Sequence, residues 1–170
     1  MFREMRRKRQ KLSEEETAAI LHRGTNGVLA LAGDDGYPYA VPVSYVYDGT
    51  YIYVHGAKAG HKIDAIAREE KVSFCVVDQD QVVPEKDTTY FRSAIVFGRM
   101  QVVEDEGEKR TAIEKLSEEY SPEHTEKRRN EAIGKDWKPL CILRLTIEHM
   151  TGKEAIELVR EREKNQGSEG

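Results

Sequence analysis

Cysteine is scarce in this chain. The two present, Cys75 and Cys141, have no metal-type spacing and both fall in strand-like runs. The expectation is two reduced, buried core residues of a cytoplasmic protein. No apolar run approaches the roughly 20 residues that a membrane-spanning helix needs. No apolar segment follows the basic residues of the N-terminus, so nothing there reads as a secretory signal. Nor is there an excess of positive charge. Lys and Arg number 27 against 31 Asp and Glu, a net charge of -4 that gives no whole-protein reason to expect nucleic-acid binding. Tryptophan occurs once, as Trp137, and no internal repeat or domain linker stands out.

What is present is charge and strand-forming residues. In 170 residues, 34% are charged and 38% hydrophobic, which suits one soluble domain with strongly charged outer helix faces. Residues 1–12 form a basic arm (Arg3, Arg6, Arg7, Lys8, Arg9, Lys11) that lacks interleaved aromatics and a basic domain behind it, so nucleic acid is not an expected partner. Residues 13–160 read as a single folded domain and 161–170 as a disordered tail. Ser13 and Glu16 make a capping box for a helix over 14–22, stopped at Gly24.

Strands follow at 28–32 and 37–47, with Pro42 inside the second. Proline donates nothing to a ladder, so that position is an edge, a bulge or a point facing a ligand. A third strand from Tyr51 would complete an antiparallel meander. Further strands are expected at 72–77, 90–103 (bent at Gly98) and 141–147, and a polar loop at 79–89. Helices are expected at 61–69 and 106–120, with an outward-facing polar segment at 123–135. Six hairpin-linked strands with helices between them suit a closed or nearly closed, mostly antiparallel β-barrel with peripheral helices.

The most informative stretch is Tyr51–Lys62, a strand that breaks at Gly56 and Gly60 and restarts as a helix. Lys58, His61 and Lys62 lie at the break. A helix start has unpaired N–H groups and partial positive charge, so cations added there make a phosphate cradle, and two glycines let the backbone approach the anion. The same residues also suit a solvated loop.

Four segments in order resemble the pyridoxamine 5'-phosphate oxidase-like, FMN-binding split-barrel family, most closely its nitroimidazole-resistance branch. They are Tyr37–Tyr45, His55–Asp64, Tyr90–Gly98 and Glu148–Lys153, and the resemblance spans about Leu12 to Lys153. It implies a homodimer with FMN at the subunit interface. In that arrangement the backbone of Val41, Pro42, Val43, Ser44 and Tyr45 would lie along the isoalloxazine, and Lys58, His61 and Lys62 would hold the phosphate. Arg92 and Ser93 match the segment that closes the site, Trp137 would cover the flavin from the partner subunit, and His55 matches a histidine placed near the flavin. Gly60-His61-Lys62 departs from the Ser-Arg-Lys of the vitamin-forming oxidases, which replaces a guanidinium by an imidazole and either weakens the phosphate clamp or makes it pH-sensitive. Their C-terminal arginine-and-histidine pattern is also absent, so pyridoxamine phosphate is not the expected substrate. The implied function is an FMN-dependent oxidoreductase reducing a small acceptor, with His55, Tyr45 or water delivering the proton. A non-catalytic flavin- or haem-binding carrier or sensor is the alternative.

Overall fold

The computed structural model describes residues 1–167. Helix α1 (Glu14–Arg23) begins at the capping box: the Glu16 N–H donates to Ser13 Oγ at 3.0 Å, and the Ser13 N–H donates to Glu16 Oε2 at 2.8 Å. It is followed by β1 (Asn26–Ala32), β2 (Pro38–Ser44), β3 (Val46–Tyr47), β4 (Tyr51–Ala57), α2 (His61–Arg68), β5 (Lys71–Val83) and β6 (Thr88–Val102). Then come α3 (Glu106–Tyr120), α4 (Glu126–Asp136), β7 (Leu140–Glu154) and α5 (Ile156–Gly167). Helix α5 covers 161–167 of the tail expected to be disordered, and 168–170 lie outside the described residues. No helix among the described residues is long and apolar enough to cross a membrane.

The strands form one antiparallel sheet in the order β2-β1-β5-β6-β7-β4-β3, a split barrel that the ladder does not close. The expected meander is therefore corrected. The expected strand 37–47 is two strands separated by Tyr45, and they lie on opposite edges of the sheet: β2 pairs only with β1, and β3 only with β4. Pro42 accordingly sits on an edge strand, where its missing N–H costs no ladder bond. The two edges are consecutive in the chain, so the sheet returns on itself through one residue.

That residue is fully buried. Tyr45 Oη donates to the Leu21 carbonyl at 2.7 Å, and its ring meets Phe74 edge-on at 5.0 Å. Gly24 leaves room for it, since a Cβ there would lie 2.3 Å from the Tyr45 hydroxyl. Across the split, Tyr120 from the end of α3 stands in for a neighbouring strand. Its hydroxyl accepts from the Tyr45 N–H at 2.9 Å and lies within hydrogen-bonding reach of the Tyr45 and Thr25 carbonyls.

The main core fills the inside of the curl, with Leu29, Leu31, Ile52, Val54, Phe74, Val96, Leu143 and Leu145 from the strands and Ile20, Leu21 and Ile66 from α1 and α2. A second apolar cluster lies outside, where Ala112 and Leu116 of α3 cover Tyr53, Leu140 and Ile142. Cys141 is buried as expected. Cys75 is only half-buried, because its side chain alternates to the outer face of β5. The expected loop at 79–89 is instead a ribbon: β5 and β6 stay paired out to Val83 and Thr88, closed by a turn at Pro84–Lys86 with Asp87 left-handed. The bend at Gly98 is present as a register shift between β6 and β7. A Cβ on Gly98 would meet the Thr146 carbonyl oxygen at 2.1 Å.

Candidate functional site

The outer edge of β2 and the start of α2 meet in one corner. Val41 and Val43 point inward and pack on the core, while Pro42 and Ser44 point out to solvent. The ring of Tyr39, also on β2, stacks on His61 at 3.9 Å with the planes 15° apart. His61 Nε2 lies 3.5 Å from Asp34 Oδ2, and Arg68 holds the other carboxylate oxygen at 2.7 Å. The imidazole of His61 is thus engaged by Tyr39 and Asp34, two neighbours that the sequence pattern did not single out.

Gly60, immediately before α2, has φ +125°, a conformation that side-chain-bearing residues rarely adopt. Lys62 follows in the first turn and makes no ion pair among the described residues, nor does Lys58 just before it. At Gly56 a Cβ would meet nothing within 4 Å, so nothing within the chain fills the space above that backbone. The corner therefore offers an open backbone, a helix start and cations without counter-charge, a donor set that suits a phosphate.

Other expected site residues are placed elsewhere. The Tyr45 hydroxyl points into the core, where burial drives its pKa well above the ordinary tyrosine value, so it is a core group with no route to deliver a proton. His55 is exposed on β4, opposite Ile142, with no hydrogen bond or ion pair among the described residues. Trp137 caps α4 and packs against its own chain: its Nε1 donates to Glu106 Oε2 at 3.1 Å, and Lys109 Nζ sits 4.3 Å over its ring. Arg92 is held by Glu154 Oε2 at 3.2 Å and by Asp78 Oδ2 at 3.4 Å. Ser93 lies beside it on β6, paired with Val77 and Lys153. Arg92 borders a cavity of about 480 Å³ between α1 and α5, lined also by Arg23 and Arg162. The structure thus sets Tyr39 of β2 against His61, leaves Lys58 and Lys62 without an ion pair among the described residues at the same helix start, and binds Arg92 into a separate ionic network. Lys109 was missed by sequence pattern; its signal is a lysine in helical phase with the buried Ala112 and Leu116.

A split-barrel sheet with this corner defines the class, and comparison with known proteins agrees. The chain belongs to the pyridoxamine 5'-phosphate oxidase family, which matches residues 13–154. A conserved hypothetical protein of Mycobacterium tuberculosis is similar with TM-score 0.75 and 21% identity, covering 89% of this chain and 90% of that one. A candidate 5-nitroimidazole antibiotic resistance protein of Bacteroides thetaiotaomicron gives TM-score 0.70 and 20% identity, covering 85% and 86%. An FAD-binding protein of Mesorhizobium loti gives TM-score 0.59 and 25% identity, covering 85% and 96%. Likeness at this level carries the fold. No curated protein sequence matches the chain.

Proposed function

We propose that this chain is an FMN-binding oxidoreductase that reduces a small acceptor, working as a cytoplasmic homodimer. The carrying observation is the start of α2, where Lys58 and Lys62 flank Gly60 without an ion pair among the described residues, and where His61 stacks on Tyr39 of the edge strand β2. FMN carries a dianionic phosphate, and these two ammonium groups would hold it while the β2 backbone from Val41 to Ser44 orients the ring. Bound FMN supplies the electron transfer, and the chain supplies binding, orientation and proton supply. With Tyr45 enclosed, His55 is the exposed side chain left to hand over a proton, from either ring nitrogen. Family membership and the flavin named for the Mesorhizobium loti protein support the same reading.

The dimer is supported by the outer face of the sheet. Pro42, Val28, Cys75 and Ile95 lie in one cross-strand row, and Val77 and Phe97 are exposed on the same face, an apolar surface suited to a second copy. One experiment addresses both parts. Protein incubated with FMN and passed over a sizing column with light scattering should elute yellow at about twice 19.4 kDa. A colourless peak removes the flavin reading, and a yellow monomer removes the dimer. A carrier or sensor role is separated by adding NADH or NADPH: a flavin that is never bleached means no turnover.

A further inference from the structure

Lys109 is the most deeply buried lysine of the described chain, at 6% exposure, yet no carboxylate pairs with it among the described residues. An ammonium group has three protons to donate. One goes to the Trp137 carbonyl at 3.2 Å, and the indole face 4.3 Å away gives partial compensation. Burying a charge with so little neutralisation is costly, and natural sites of this kind hold a counter-ion. Lys109 lines a cavity of about 360 Å³, together with Lys58, Glu104, Glu106, Leu140 and Cys141. Both carboxylates belong to exposed residues, and Glu106 already accepts from the Trp137 indole. Burial holds the Cys141 thiol above its ordinary pKa; Lys109 and Lys58 oppose that shift and Glu104 adds to it, in keeping with all three lining the same cavity.

We propose that Lys109 and Lys58 form a binding site for a small oxyanion, a phosphate or carboxylate group, in this cavity between α3 and the start of β7. Such a group accepts the two free Lys109 protons, with Lys58 closing from the exposed side. The site shares Lys58 with the flavin reading but does not depend on it.

Trp137 is the only tryptophan in the chain, so its fluorescence reports on Lys109 directly. Apoprotein is titrated with inorganic phosphate, and with chloride at matched ionic strength. The expected result is a saturable change with phosphate alone, weakened about tenfold or more in Lys109→Met and also weakened in Lys58→Met. Absence of a saturable change, an equal response to chloride, or an unchanged response in Lys109→Met overturns the proposal. Should Lys109→Met not fold, Lys58→Met at its exposed position decides by the same readout. Adding FMN identifies the source of the anion. Competition assigns the site to the flavin's own phosphate, and independence assigns it to a separate ligand.

Discussion

Two clusters of cations in this molecule look alike in sequence and behave oppositely in the fold. At the start of α2, Lys58 and Lys62 are uncommitted, while on the far side Arg23, Arg92 and Arg162 alternate with Asp78, Glu154 and Glu16 in a continuous ionic chain. The chain staples α1, β5, β6, β7 and α5 together. Its centre is Glu154, whose carboxylate is 3% exposed and whose backbone oxygen also accepts from the buried Gln10 at 2.9 Å. A cation whose charge is already neutralised by the fold serves stability, and one left without a counter-charge is available to a ligand. Arg92 and Lys62 both look like cofactor cations in the sequence, and only their partners tell them apart.

The sharpest break of this contrast is Glu154→Gln, which leaves Arg92 and Arg162 without their shared counter-charge. Urea unfolding should show a loss of about 3 kcal/mol, the low end for breaking a buried pair because both guanidiniums keep some water. FMN affinity should stay the same. A stability change under about 0.5 kcal/mol, the range of ordinary surface substitutions, would mean the network is not a staple. Lys62→Ala is the mirror image. Its stability should hold within that same ~0.5 kcal/mol, while FMN binding weakens by about 1.5–3 kcal/mol as a charge-assisted hydrogen bond is lost. Riboflavin, which lacks the phosphate, should bind wild type and variant alike; parallel losses for both ligands would take Lys62 off the phosphate.

The smallest effect concerns pH. A hydrogen bond from Arg23 holds the Asp78 carboxyl below its ordinary 3.8, with Arg92 assisting and burial opposing. A lowered folded-state pKa adds stability that is complete above the unfolded value and fades as pH falls through the folded one. Because Arg23 is half-exposed, Asp78→Asn should cost about 1 kcal/mol or less at neutral pH, as for other solvent-accessible pairs. That difference from wild type should shrink as pH drops below about 4. A difference that stays constant through the acid range would show that the charge of Asp78 is not what matters.

Much of the architecture was legible because local chemistry and global packing agree. The Ser13–Glu16 box, the proline on an edge strand, the glycine bend in β6 and the break at Gly60 each follow from one residue's stereochemistry. The β5–β6 ribbon was not legible. Asp78, Gln79, Asp80 and Gln81 carry no alternation, and the ribbon stands clear of the core that would have imposed one. The cradle lysines were visible at the head of α2, but the engagement of His61 with Tyr39 and Asp34 depends on a fold-back from the turn before β2. Trp137 and Lys109 meet across 28 residues, a distance no local pattern spans.

The hand-over at Tyr45 gears the two edges of the sheet to each other. Because a single residue links β2 to β3, the phase in which one strand presents its side chains inward dictates the phase of the other. An added or deleted residue at this point would turn one of them inside out. The strand proposed to lie along the flavin is therefore set from both ends, by its pairing with β1 and by the buried tyrosine that begins the opposite edge. Length at this position is under tighter constraint than the identity of the exposed residues beside it.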